Sequence, residues 1–379
     1  MIPASIEDFR ELARRRLPLF LFDYIDGGSY TETTLRSNEA DFQRLKLRQR
    51  IMRDVSSINL ATTLMGQEVS MPVALAPIGL AGLYARRGEV QAARAAEAAG
   101  VPFILSSSSC CSIEEVTRSV TRPVALQLYV IRDRDYMEDL LARTAALGVD
   151  TLVLTVDLIT HSPRRRDIRS SLTGTQGLPA RLKRGFEIMR HPDWAWDVGV
   201  MGRPHTLGNF APRMPEGAGL AQFTAWVARN FDASITWKDM AWLRRHWRGR
   251  IVVKGILDAE DAAAACDEGV DGIIVSNHGG RQLDGAPSSI AALPAVVEAV
   301  DGRAEVLLDS GVRSGIDILR ALALGARGVL LGRAWAFALA AQKQAGVTRM
   351  LDLLRHELHI AMALSGQTDV RSVGRDVVL

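Results

Sequence analysis

The sequence is poor in the features that mark several protein classes. Its 379 residues contain three cysteines, Cys110, Cys111 and Cys266, two of them adjacent. That pattern offers neither a disulfide framework nor metal-ligand spacing, so a reducing compartment and no metal centre are expected. The haem-attachment motif C-x-x-C-H does not occur, and no c-type haem is implied. Charge of one sign is not in excess: Lys plus Arg is 46, Asp plus Glu is 43, and the formal net charge is +3. So weak a bias gives no reason to expect a nucleic-acid partner. No apolar run reaches the ~18–20 residues of a membrane span, and the best candidate, 328–341, is broken by Arg333. The opening M-I-P-A-S-I-E-D-F carries acids where a secretory signal has a basic and then an apolar region. The chain is therefore expected to be soluble or to lie on a membrane surface.

What is present is a rhythm. At 47% hydrophobic and 23% charged the composition is globular. From residue 71 onward, short runs rich in Val, Ile and Leu alternate with segments rich in Ala, Glu and Arg. The runs lie at 73–76, 103–105, 124–128, 152–156, 251–253, 273–275, 306–308 and 329–331. Helical patterns fill 89–99, 136–147, 259–268, 288–300 and 315–324. Eight such β–α units in series predict a closed (β/α)8 barrel. An open doubly wound sheet is the alternative, but its dinucleotide fingerprint G-x-G-x-x-G is missing.

Ahead of the rhythm, Ser5 and Asp8 resemble a capping box, and a second helix ends at the glycine pair of Y-I-D-G-G. Between the fourth and fifth runs the period breaks for about ninety residues. An insertion there lies on the face where barrel active sites form and reads as a lid or an added function. Its start, 170–176, is rich in Ser, Thr and Gly and suggests mobility. One domain is expected: a helical cover over 1–65, a barrel over 66–345 with the insertion at about 158–250, and a C-terminal helix and tail over 346–379.

The C-terminal strand ends of a barrel converge on one cavity, so their residues can be read together. In order they supply Pro77 and Gly79; Ser106; Gln127 and Tyr129; Thr155 and Asp157; Lys254; Ser276 and His278; Asp309; and Gly332 with Arg333. Polar residues at one strand end mean little; eight ends turning polar or glycine-rich together indicate a site. Gly311 to Gly315 and Gly332-Arg333 each open a helix. Helix N-termini there, with Arg313 and Arg333, suit one phosphate. A single phosphate implies a mononucleotide such as FMN or a phosphorylated substrate. Lys254, costly in a barrel centre unless it faces an anion, suits the negative edge of a reduced flavin or a Schiff base. In D-G-I-I-V-S-N-H-G-G-R-Q-L-D, residues 271–284, an apolar strand gives way to His278 and Arg281. His278 reads as a base with Asp157 to orient it, and Arg281 and Arg164 as a carboxylate clamp. Arg164 sits in P-R-R-R-D, which also fits a plain basic surface run, and Tyr24 alone reads as a packing residue.

Taken together, S-N-H-G-G-R-Q-L-D, Y-I-D-G-G, M-P-V-A-L-A-P-I-G-L, Q-L-Y-V, L-D-S-G-V-R-S-G and L-L-G-R-A resemble the FMN-dependent 2-hydroxy acid oxidising enzymes along nearly the whole chain. L-R-Q-R-I, Y-A-R-R-G-E-V-Q-A-A, H-P-D-W-A-W-D-V-G and K-G-I-L-D are most similar to the membrane-associated bacterial branch that oxidises L-lactate. The resemblance implies that His278 is the base and Asp157 its partner, that Arg164 and Arg281 bind the substrate carboxylate, and that Tyr24 and Tyr129 are active-site tyrosines. It also implies that Lys254 faces the flavin, that Pro77, Gly79, Ser106, Gln127, Thr155 and Ser276 contact it, and that Asp309, Gly311, Arg313, Gly332 and Arg333 hold its ribityl phosphate. The implied reaction takes an L-2-hydroxy acid, L-lactate, to the 2-oxo acid and passes electrons to a quinone or other carrier. A homotetramer or larger, peripheral on the cytoplasmic face of the bacterial inner membrane, is implied as well. A soluble oxygen-using oxidase, a mandelate dehydrogenase and a Lys254 Schiff-base lyase are the alternatives.

One stretch departs from the family pattern. After Asp157 the chain reads L-I-T-H-S-P where relatives carry proline or glycine near 159–162. It adjoins the substrate pocket; its His161 is expected to be a solvated loop residue, and a side chain reaching into the pocket is the alternative. In the insertion, Arg181, Lys183, Arg184 and Arg190 lie among Leu182, Phe186, Ile188 and Met189, with Trp194 and Trp196 following. Basic residues beside aromatics suit a lipid headgroup zone. A lid packed on its own barrel is the alternative.

Overall fold

The computed structural model describes residues 1–173, 177–203, 205–213, 226 and 229–379. Part of the stretch expected to be mobile, 174–176, lies outside the described residues. Eight strands form the centre: β1 Val73–Leu75, β2 Ile104–Ser106, β3 Ala125–Leu128, β4 Thr151–Thr155, β5 Arg250–Ile256, β6 Gly272–Val275, β7 Glu305–Leu308 and β8 Gly328–Leu331. They pair in parallel in the order β1-β8-β7-β6-β5-β4-β3-β2. A further parallel bridge, Leu75 to Phe103 just before β2, joins the two ends of this order. The ring is a (β/α)8 barrel, and the open-sheet alternative falls away.

Successive strand side chains point to opposite faces, and both faces are buried here. Ala74, Ile104, Ala125, Val153, Val252, Ile274, Leu307 and Leu330 fill the interior. Their neighbours in the strands pack outward on the helices. An antiparallel hairpin, Thr62–Leu64 against Gln67–Val69, adds Leu64, Met65 and Val69 to the interior cluster. Each fully buried side chain of this size contributes about 1.5–3 kcal/mol. The hairpin therefore belongs to the barrel interior although it straddles residue 65.

Three helices precede the barrel, α1 Ile6–Arg16, α2 Leu19–Asp26 and α3 Thr33–Arg44; α1 packs on the last helix, and α2 borders the opposite, C-terminal end. Ser5 caps α1 by accepting from Asp8 N at 3.2 Å. The Asp8 carboxylate accepts from Ala4 N at 2.9 Å, one residue short of the reciprocal bond of a full capping box. Helix α2 stops where Gly27 N donates to Asp23 O at 2.8 Å. That stop leaves Tyr24 in the last turn, facing the barrel mouth. Helix α3 lies close over the loop after β7. Gly311 has φ +96°, and a Cβ there would stand 2.1 Å from Asn38 O, so the loop tolerates only glycine at that point.

The first three crossovers carry α4 Gly88–Ala99, α5 Ile113–Thr117 and α6 Arg134–Ala146, and the insertion includes α7 Arg165–Arg169 and α8 Leu178–Met189. It is fastened to the body by Trp194, whose Nε1 donates to Leu83 O at 2.8 Å. Asp197 adds an ion pair with Lys343 at 2.7 Å, and Glu187 accepts from Leu19 N at 3.1 Å. The insertion returns along the loop after β3, where Arg132 N donates to Asn230 O and Asp232 N to Val130 O. The chain closes with Arg333–Ser365, two helical pieces meeting at Gln342 and Lys343, where φ is −139° and +58°. Among the described residues no helix is long and apolar enough to cross a membrane.

Candidate active site

A cavity of about 460 Å³ opens at the C-terminal strand ends. Its lining includes Tyr24, Pro77, Gly79, Tyr129, Thr155, Arg164, Lys254, His278, Arg281, Asp309, Gly311, Arg313, Gly332 and Arg333. Residues separated by more than 300 positions in sequence are thus brought to one chamber. Asp157, Ser106, Gln127 and Ser276 stand one layer behind its wall.

The centre is a charge network. His278 Nδ1 and Asp157 Oδ1 are 2.7 Å apart. Burial alone raises the Asp157 carboxyl, but His278 and Lys254 outweigh it and hold the group below the ordinary carboxylate range. An ionised carboxylate can only accept, so Nδ1 carries the proton and Nε2 presents its lone pair to the cavity. Burial pushes the His278 imidazole down against the pull of Asp157, which keeps Nε2 free to take a proton. The Tyr129 hydroxyl lies 3.5 Å from that nitrogen.

Backbone geometry fixes this arrangement. His278 itself is left-handed, with φ +59°, an uncommon conformation for a residue with a Cβ. Its N–H donates to Ser276 Oγ at 3.0 Å. On β5 the register slips between Lys254 and Ile256. Gly255 in that bulge has φ +114°, and a Cβ there would meet Asp157 Cβ at 2.7 Å. The bulge thus lets Asp157 approach the end of β5.

Lys254 is 4% exposed. Its Nζ donates to Asp309 Oδ2 at 3.0 Å and Ser276 Oγ at 2.8 Å and lies 4.0 Å from Asp157 Oδ2. Burial lowers its pKa, but Asp309 and Asp157 raise it further than burial lowers it. Lys254 is therefore a cation, which runs against a Schiff-base nucleophile needing a neutral amine.

Two arginines face the other side of the chamber. Arg281 donates through one nitrogen to Tyr24 O at 2.5 Å and Gly27 O at 3.0 Å. Its guanidinium lies 4.8 Å from the Tyr24 ring centre, and that of Arg164 lies 5.8 Å from it. Arg164 Nε has no hydrogen-bond partner, and burial with the nearby Arg281 pushes the Arg164 pKa down. Arg164 is thus a cavity residue and not part of a surface run. Buried Asp167, which the sequence did not single out, stands nearby; burial raises its carboxyl although Arg281 and Arg164 oppose that.

At the far end, Arg333 donates to Ile25 O, Gly279 O and Gly27 O at 2.8–2.9 Å. All three partners are neutral carbonyls. Burial, Arg281 and Arg313 push its pKa down to about 9, so an anion beside it would be strongly favoured. Arg313 pairs with Glu39 at 2.8 Å. Gly332 begins the last helix with no side-chain cap, and a Cβ there would meet nothing within 4 Å. Along the barrel axis, Gln127 Nε2 and Thr155 Oγ1 have no partners, while Ser106 Oγ donates to Gln127 Oε1 at 2.8 Å. A phosphate-bearing ligand with a long polar tail and a hydrogen-bonding ring fits these residues.

Two expectations are refined. His161 is solvent-exposed, as expected, yet it also lines the cavity at its mouth, where its ring stacks on Phe231 at 6.1 Å and 25°. Phe231 itself stacks on Tyr129 at 5.1 Å and was not foreseen, because it arrives on the return of the insertion. Trp194 is buried and bonded to the body, so it is a packing residue; Trp196 is exposed.

Comparison with known proteins gives a consistent result. The family model described as FMN-dependent dehydrogenase matches residues 13–379. An L-lactate dehydrogenase of Caulobacter sp. (strain K31) is 55% identical over 378 residues, covering 100% of this chain and 99% of that protein. An L-lactate dehydrogenase of Stenotrophomonas maltophilia (strain R551-3) is 52% identical over 376 residues, covering 99% and 98%. Among solved structures, the monotopic membrane protein (S)-mandelate dehydrogenase superposes with a TM-score of 0.93 at 37% identity, covering 100% of both chains. Mandelate oxidase superposes with a TM-score of 0.84 at 36% identity, covering 100% of this chain and 98% of that one.

Proposed function

Because the chain belongs to the FMN-dependent dehydrogenase family, we propose that it oxidises L-lactate to pyruvate and passes the electrons to a quinone or similar carrier at a membrane surface. It is an FMN-dependent L-2-hydroxy acid dehydrogenase. The 52–55% identity to L-lactate dehydrogenases along the full chain supports the choice of hydroxy acid. The single observation that carries the chemistry is the His278–Asp157 pair at 2.7 Å with Nε2 turned to the cavity.

The residues take the following roles. Arg164 and Arg281 bind the substrate carboxylate, with Tyr24 beneath them. A charge-assisted bond of this kind is worth about 1.5–3 kcal/mol. Tyr129 and His278 Nε2 meet the C2 hydroxyl, and His278 takes the proton that leaves the substrate. Asp157 holds the imidazole and stabilises its cation as that proton arrives. FMN, when bound, would supply the acceptor for two electrons. Lys254, kept charged by Asp309 and Asp157, would stabilise the negative charge that then develops. Pro77, Gly79, Ser106, Gln127, Thr155 and Ser276 would contact the cofactor's ring, and Asp309, Gly311, Arg313, Gly332 and Arg333 would hold its ribityl chain and phosphate.

Membrane attachment rests on α8. Leu178, Leu182, Phe186 and Met189 recur at helical spacing on one face and are 56–72% exposed. Arg181, Lys183, Arg184 and Arg190 flank them, and only Ala180 of the helix is buried. A neighbour at TM-score 0.93 is itself a monotopic membrane protein. We place the chain on the cytoplasmic face of the inner membrane. The proposed assembly is a homotetramer; a separate exposed apolar patch of Ile51, Met52 and Leu364, drawn together where Arg50 N donates to Leu364 O, offers a surface for contact between copies.

The deciding experiment is anaerobic mixing of the purified yellow protein with L-lactate. FMN released by acid and bleaching of the flavin by lactate are the expected results. FAD on release, or a flavin that lactate does not reduce, overturns the assignment. Rates with oxygen against a soluble quinone analogue then identify the acceptor.

A further inference from the structure

Deepening the function proposed above, and resting on it, we propose that His161 and Phe231 receive the substrate's side chain and favour an aryl group one carbon beyond C2. Four rings form a ladder along one wall of the cavity. His278 faces Tyr129 at 6.5 Å and 30°, Tyr129 faces Phe231 at 5.1 Å and 28°, and Phe231 faces His161 at 6.1 Å and 25°. The ladder therefore runs from the base to the mouth with its planes nearly parallel.

Substrate stereochemistry selects this wall. With the carboxylate on the two arginines, the hydroxyl on His278 and the C2 hydrogen toward the flavin, one direction remains for the side chain. The wall beside Tyr129 on that side includes Phe231 and His161, and Leu158, Ile168 and Leu172 also line the cavity. A methyl group covers little of it. A phenyl ring would add to the ladder at the centroid separations aromatic pairs adopt.

The position of His161 is built into the fold. On one side Gln282 Nε2 donates to Thr160 O at 2.9 Å, and on the other Ser162 Oγ donates to Gln282 O at 2.6 Å. One glutamine thus pins both neighbours of His161, and the same Nε2 reaches Asp157 O at 2.8 Å. Burial, Arg164 and His278 keep the His161 imidazole neutral further into the acid range than usual. A neutral ring can stack without adding a cation beside Arg164.

The test compares kcat/KM for L-lactate and L-2-hydroxy-3-phenylpropanoate on flavin-loaded, full-length enzyme. The intact protein should oxidise both. His161→Ala and Phe231→Leu should each lower kcat/KM for the phenyl acid by roughly three- to tenfold, chiefly through KM, with lactate within about twofold. Ile159→Ala, an exposed neighbour outside the cavity, should move neither value. Flavin absorbance and circular dichroism separate misfolded variants from informative ones, and the milder Phe231→Leu keeps the test open if His161→Ala misfolds. An intact enzyme that does not oxidise the phenyl acid, or a ratio unmoved in both variants, overturns the inference. Failure of lactate alone overturns the lactate assignment and leaves the aryl preference standing.

Discussion

The strand ends and helix α8 depart from ordinary burial in opposite directions. At the strand ends the molecule buries charge: Lys254, Asp309, Arg164 and Arg333 share one chamber, with Asp157 directly behind its wall. On α8 it exposes large apolar side chains, Leu178, Leu182, Phe186 and Met189. Isolated apolar side chains on a surface are unremarkable, whereas four in one helical stripe need a covering partner. The two regions differ in how far the protein itself meets the cost. Lys254 and His278 have carboxylate partners, whereas Arg333 donates to carbonyls and the α8 stripe is exposed. Under the function proposed above, the FMN phosphate would meet the first cost and a lipid surface the second.

The largest effect is expected at the paired centre. His278→Gln should keep the yellow flavin yet slow its reduction by lactate by at least ~10². A near-normal single-turnover rate would remove His278 from the role of base. Asp157→Asn should cost somewhat less, on the order of 10² in the plateau rate, because the imidazole loses its orienting acceptor. It also tests the sign of the electrostatics. Burial depresses His278 and Asp157 raises it. Removing the carboxylate must therefore carry the acid limb of the pH–rate profile to lower pH. A shift to higher pH would show that the pair is not coupled in this way. Folding is linked too: both groups have lowered folded pKa values. The stability they contribute is present above their ordinary values and is lost as pH falls through the folded ones.

The carboxylate clamp comes next. Arg281→Met removes one charged contact of about 1.5–3 kcal/mol, or roughly 10- to 150-fold in kcat/KM for a hydroxy acid. Reduction of the same flavin by a neutral reductant should hardly change. Equal losses with both would mean that Arg281 matters by tying α2 to the barrel through Tyr24 O and Gly27 O.

The two regions also differed in legibility. The barrel could be read because strands buried on both faces are continuous apolar runs, and each ends where polar residues begin. Lys254, His278 and Asp157 are visible for the same reason. Phe231 is not: it lies on a return segment held by backbone bonds to Val130 and Arg132, and no periodicity marks such a pairing. His161 is exposed, as its polar loop suggests, but its place at the cavity mouth is not legible, because the Gln282 bonds that pin the flanking residues link segments about 120 positions apart. Trp194 and Trp196 share a sequence pattern, and only the bond from Trp194 to Leu83 O separates a packing residue from an exposed one. The hairpin of Leu64 and Met65 is too short to show a period at all.

The smallest catalytic effect is expected on α8, and there the comparison is tested from its other side. Phe186→Asp with Leu182→Asp replaces half of the apolar stripe with acids. Both side chains are more than half exposed and neither lines the cavity, so lactate should still reduce the flavin at an unchanged rate. Thermal stability should hold or rise slightly, since no core contact is lost. Binding to anionic vesicles should collapse. Burying one such side chain is worth about 1.5–2 kcal/mol, so two together weaken partitioning on the order of 10²- to 10³-fold. The new acids would also repel the headgroups that Arg181, Lys183, Arg184 and Arg190 attract. If the variant floats with vesicles as well as the parent does, attachment lies elsewhere. If it instead loses stability and activity together, α8 is packed against this protein's own partner subunit, and the stripe is an interface between copies.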